Sequence, residues 1–113
     1  MRIITEEISI NELKDMPGNY FDEMIKGVID IKREILALDA PMHADEEAVL
    51  IENGSRQDDL WGINIYPLND NNNLIEFESL INIKPQLNNR SITIQSKEIK
   101  ERINSILDKM IKR

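Results

Sequence analysis

The chain contains no cysteine, which excludes a disulfide scaffold, a cysteine nucleophile and a thiolate metal site. It has one histidine, His43, so a multi-histidine zinc site cannot be built within one chain. Its four glycines, Gly18, Gly27, Gly54 and Gly62, are scattered, and the glycine spacing of a phosphate-binding loop is missing. No apolar run approaches the length of a membrane span. The first residues, Met1 to Glu7, carry acids where a signal peptide would carry an apolar core. These absences lead to the expectation of a soluble cytoplasmic protein with no membrane association. Basic residues are also in the minority: 14 Lys+Arg stand against 21 Asp+Glu, a formal charge of -7. Phosphate contact is dominated by Lys and Arg, so nucleic acid is an unfavoured partner.

What is present is aliphatic. Of 113 residues 41% are hydrophobic, and 20 are isoleucine. The length suits one domain spanning residues 1–113, and no repeat of solenoid period occurs. Residues 2–8 read as a first strand, followed by a capping box of Ser9 and Glu12 and a short helix ending at Pro17-Gly18. Asn19 is placed to cap a second helix, in which Phe21, Met24, Ile25 and Val28 recur at helical spacing. Alternation over residues 31–38 predicts a strand, with a continued helix as its rival. Residues 44–53 read as a helix closed by Gly54, with a strand over 48–52 as the competing reading.

Residues 60–66 form a clear strand, with Trp61, Ile63 and Ile65 on one face and Gly62, Asn64 and Tyr66 on the other. A polar loop over residues 69–73 joins it to a second alternating segment, 74–83, making an antiparallel hairpin the best-defined topological feature. Residues 91–95 offer a short edge strand. Ser96 caps a final helix with an apolar stripe of Ile99, Ile103, Leu107, Met110 and Ile111. The expected architecture is therefore α+β: a small antiparallel or mixed sheet of three or four strands with a central hairpin, packed against helices that include a C-terminal amphipathic one.

The strings His43-Ala44-Asp45-Glu46-Glu47, Glu52-Asn53-Gly54-Ser55, Asp59-Leu60-Trp61-Gly62-Ile63-Asn64 and Tyr66-Pro67 resemble those of a small prokaryotic family of unknown function. Glu76-Phe77, Asn82-Ile83-Lys84-Pro85 and Asn89-Arg90-Ser91 are similar to the same family. The resemblance covers most of the chain and implies an independent domain, with no assigned reaction, substrate or cofactor.

Two kinds of chemistry compete for the polar residues. His43 and Glu47 stand four apart and can share one helix face, where imidazole and carboxylate can hold a divalent ion or relay a proton. With Asp59 they form the candidate catalytic set of a small acid–base enzyme of hydrolase type, metal-assisted or metal-free; His43 and Glu47 are the candidate metal ligands. No metal-ligand spacing or nucleophile motif accompanies them, and no cofactor is called for. The same acids, read as a helix N-terminal charge cluster, simply complement the helix dipole.

The other reading is recognition. Seven acids lie between Asp39 and Asp59, with Arg56 as the only base among them, and Trp61 follows directly. Trp61, Asn64, Asn82 and Arg90 are the candidate binding residues, Arg90 for its match to carboxylate or phosphate geometry. A non-catalytic recognition or assembly domain, working through a protein partner or a homodimer, is the leading expectation; a small-molecule ligand is the lesser one. The arrangement of these side chains in space decides between the readings.

Overall fold

The computed structural model describes residues 1–113, the side chain of Asn71 excepted. In chain order the elements are β1 (Arg2–Ile4), β2 (Ile8–Ser9), α1 (Ile10–Lys14), β3 (Ile25–Asp30), β4 (Ile35–Leu38), α2 (His43–Glu52), β5 (Leu60–Ile65), β6 (Ile75–Glu76), α3 (Lys97–Met110) and β7 (Ile111–Lys112). Five strands form one antiparallel sheet in the order β1-β4-β3-β5-β6, and β2 pairs with β7 in parallel. The α+β class and the C-terminal amphipathic helix are as the sequence indicates. The sheet has five strands, one or two more than alternation alone suggests.

The additional strand comes from residues that read as a helix. Ile25 and Val28 lie in β3, the centre of the sheet, which pairs with β4 on one side and β5 on the other. Their spacing of three fits a helical face. However, Ile25, Val28 and Ile29 are all buried, which places them on both faces of an interior strand. β-Branched side chains suit that position, and pairing at both edges overrides a four-residue helical pattern. The alternation at residues 31–38 also spans two structures. Asp30 Oδ1 accepts from the amides of Lys32 and Arg33, each at 2.9 Å, and fixes a turn before β4 begins at Ile35. Short Asp side chains favour such local bonds, and this one makes β3–β4 a hairpin.

Helices cover both faces of the sheet. On one, Ile25, Ile29, Trp61, Ile63 and Ile65 pack with Ile103, Ile106, Leu107 and Met110 of α3. Full burial of each such aliphatic side chain contributes about 1.5–3 kcal/mol, so α3 is held by its stripe rather than by helix propensity. Ser96 starts it, its Oγ accepting from the Ile99 amide at 3.2 Å. On the other face, Val28, Ala37 and Leu60 pack with Leu50 of α2.

The expected long partner of β5 is short. Only Ile75 and Glu76 pair with it, opposite Ile65 and Asn64. Ser79 Oγ then accepts from the Ile81 amide at 3.3 Å and turns the chain into a short 3-10 segment, Leu80–Asn82. The expected edge strand at 91–95 reduces to a single bridge, Glu78 to Thr93. As the chain crosses β5 it presses on Gly62. A Cβ at that position would lie 2.6 Å from Ser79 Oγ and 3.1 Å from an Ile81 side-chain carbon, and would collide with Ser79 Cβ. Gly62→Ala is therefore expected to lower stability by about 2 kcal/mol, because overpacking here must displace backbone. A urea titration checks this, and an unchanged midpoint would contradict the close approach.

Candidate functional site

The α2 face of the sheet carries a cavity of about 340 Å³ at the N-terminus of α2. Met42, His43 and Ala44 form one wall, Lys26 of β3 and Asn64 of β5 belong to the lining, and residues 78–81 with Ile92 close the other side. The N-cap of α2, Met42, offers no side-chain acceptor, so the first amides of the helix have no capping bond from it. Met42 and Leu80 are the most exposed apolar side chains at the rim, at 58% and 78%.

His43 is buried, with Nε2 at 2.8 Å from the Ile63 carbonyl. A carbonyl only accepts, so Nε2 carries the hydrogen and Nδ1 is the bare nitrogen of the neutral ring. Burial pulls the His43 pKa below its usual value. The Ile63 carbonyl opposes that shift, Lys26 reinforces it and the Asn64 side chain opposes it. The ring is therefore neutral at pH 7. Asn64 donates through Nδ2 to Glu76 Oε1 at 2.8 Å and to the Glu78 carbonyl at 3.2 Å. Its Oδ1 is buried with no partner among the described residues, so this wall holds an acceptor that calls for a donor.

Of the seven residues singled out by sequence, only His43 and Asn64 meet at this cavity. Glu47 is half-buried one turn along α2. Its charge acts on Lys84, and no hydrogen bond or ion pair joins it to His43 among the described residues. Asp59 is half-buried in the 3-10 turn Gln57–Asp59, where its carbonyl accepts from the Ile31 amide at 3.0 Å. Trp61 is 1% exposed on the opposite face of the sheet, in the core under α3. Asn82 is fully buried and bonded to the backbone of β5. Arg90 is exposed, its amide 3.4 Å from Gln95 Oε1. Among the described residues no three His, Asp or Glu side chains converge to hold a metal ion. No described helix is long and apolar enough to cross a membrane.

The acidic stretch divides in the same way. Asp45 and Glu52 are exposed, Asp39 accepts from Asn19 Nδ2 at 2.8 Å, and Glu46 is fully buried. Lys84, a basic residue near Arg90 in the sequence and so a candidate for phosphate contact, is instead 2% exposed. Its Nζ donates to the Gln57 carbonyl at 3.0 Å and lies 5.5 Å from the centre of the Trp61 ring. Burial lowers its pKa, against the raising effect of Glu47 and Asp58. A signal for Glu46 was available: positions 43, 46 and 50 share one helical face, and all three are the buried residues of α2. Nothing in the sequence marks Lys84 as buried, because its burial depends on the return of residues 78–89 over β5.

The fold and the cavity define a small α+β domain with an amphipathic groove at a helix N-terminus. The chain belongs to the DUF5674 family of proteins of unknown function, whose model matches residues 2–110. No curated protein and no solved structure matches it.

Proposed function

We propose that the protein is a non-catalytic recognition domain that assembles with a second copy of itself through the groove at the start of α2. The observation that carries this reading is the pairing of a hole with a knob on one face. Leu80, the most exposed large apolar side chain, stands beside a cavity to whose wall it belongs. Lys26 and Glu78 add opposite charges to the same lining. About a two-fold axis, a patch of that kind is self-complementary: the Leu80 of each copy seats beside Met42 of the other, and Lys26 faces Glu78. The separation of His43 from Glu47 and Asp59, neither of which bonds it among the described residues, supports recognition over proton transfer.

Sedimentation of the full chain over a concentration series tests the proposal. A concentration-dependent dimer is expected, weakened tenfold or more by Leu80→Asp, because truncating or charging a central anchor costs about 2 kcal/mol or more. Leu80 is exposed, so the variant should fold, and circular dichroism checks that it does. A chain that stays monomeric at high concentration overturns the homodimer, as does a dimer indifferent to Leu80→Asp. Capture of a different protein, lost in the same variant, would reassign the groove to a hetero-partner.

A further inference from the structure

The two edges of the main sheet are finished differently. Beyond β6, residues 92–94 cover the margin: the Ile94 amide donates to the Phe77 carbonyl and the Ser79 amide to the Ile92 carbonyl, both at 3.0 Å. β1 forms the opposite edge and has a neighbour, β4, on one side only. The register decides which of its backbone groups face that neighbour. The Asp39 amide donates to the Lys26 carbonyl across β3–β4 at 3.2 Å, so by alternation Ala37 also faces β3, while Leu36 and Leu38 face β1. Arg2 and Ile4, opposite Leu38 and Leu36, therefore make the bonds to β4. The amide and carbonyl of Ile3 point away from β4, with no partner among the described residues. A cleft of about 650 Å³ follows residues 2–7, and apart from these only Lys109 lines it. The side chain of Ile3 is 42% exposed, and that of Met1, two residues before it, 48%. Neither proline nor lysine, common guards against edge pairing, occurs in residues 1–8.

Charge selects the occupant. Arg2 stands at the start of this segment, and Glu6 and Glu7 at its end. A second copy laid antiparallel brings Arg2 of each beside the acidic end of the other, whereas a parallel copy sets like charges together. Arg2 already meets Glu12 at 3.6 Å and Lys112 meets Glu7 at 3.6 Å, but these are exposed pairs that contribute little, and Glu6 is in neither. We infer that β1 is a pairing edge for β1 of a second copy, about a two-fold axis at Ile3, where each Ile3 amide donates to the other's Ile3 carbonyl. The exposed Ile3 side chains then lie side by side, and the two sheets continue as one. The contact is separate from the groove at α2, whose lining contains no residue of 1–8, and it does not rest on that reading.

Leu80→Asp disables the groove and leaves β1 untouched, so sedimentation of the full chain carrying that change reads the edge alone. A concentration-dependent dimer is expected. Adding Ile3→Pro removes one outward donor from each copy while the bonds from Arg2 and Ile4 to β4 remain. It should weaken the dimer about tenfold or more, the effect of two lost hydrogen bonds. Arg2→Glu should also weaken it, and Arg2→Glu with Glu6→Arg should restore it; circular dichroism checks that each variant folds. A Leu80→Asp chain that stays monomeric at high concentration overturns the edge contact, as does a dimer indifferent to Ile3→Pro. A double exchange no stronger than Arg2→Glu alone overturns the antiparallel arrangement. Equal dimers in wild type and Leu80→Asp, both lost with Ile3→Pro, would support the edge and remove the groove.

Discussion

Asn82→Ala is expected to cost about 3–5 kcal/mol, a large share of the stability of a domain this size. Beyond Glu76 the chain no longer pairs with β5 as a strand, and the side chain of Asn82 takes over that task. Its Oδ1 accepts from the Gly62 amide at 2.8 Å, and its Nδ2 donates to the Gly62 carbonyl at 3.0 Å and to the Ile92 carbonyl at 3.1 Å. Truncation removes all three bonds in a fully buried place, leaving the Gly62 amide and carbonyl without these partners, while the Ile92 carbonyl keeps the Ser79 amide at 3.0 Å. The Asn82 carbonyl is itself bonded by Asn89 Nδ2 at 2.8 Å, so the damage extends into the 82–95 loop, where Asn89 also bonds Ser91 and Thr93. Urea unfolding measures the loss. A cost below about 1 kcal/mol, within the range of one ordinary hydrogen bond, would show that the loop stays in place without the side-chain amide.

The second large effect concerns pH. Glu46 is fully buried, and burial raises its pKa to about 9, against the hydrogen bond that Oε2 accepts from the Ala40 amide at 3.2 Å. Its other oxygen has no partner among the described residues. The folded chain therefore holds a proton on Glu46 that the unfolded chain gives up near the ordinary carboxylate value. Stability from this group is complete below about pH 4.5, falls through neutrality and is lost by about pH 9. Each pH unit between these limits costs up to about 1.4 kcal/mol. Glu46→Gln keeps the shape and an acceptor for Ala40 without the ionisation. It should be more stable than wild type by about 2 kcal/mol or more at pH 8 and nearly equal to it at pH 5. Parallel stability curves for the two proteins would mean that Glu46 ionises in the fold as it does in water.

Both effects arise at polar residues that the core has enclosed, and the sequence treats the two differently. Asn82 sits in an alternating segment and reads as one more strand position. Its task follows from the departure of the chain from β5 at Ser79, which local patterning does not record. Glu46 sits between two acids and reads as part of a solvated helix start; only its place on the face of His43 and Leu50 betrays it. Trp61 illustrates the opposite case. Its alternation with Ile63 and Ile65 gives the correct face, and all three are in the core under α3.

Several features needed nothing beyond local rules. The Ser9 and Ser96 caps, the α3 stripe, the helix over 43–52 and the inward face of β5 are set by periodicity and short-range hydrogen bonding, which act within a few residues. The limits on chemistry that follow from a chain with no cysteine and one histidine are likewise fixed by composition. The centre of the sheet was decided by tertiary structure, because β3 becomes a strand only through its two neighbours, from 35–38 and 60–65. So was the meeting of His43 with Asn64, the burial of Lys84 against Trp61 and the position of the indole at the end of α3. Each joins residues about twenty or more apart in the chain, and the energy that brings them together comes from burying the sheet between two helices.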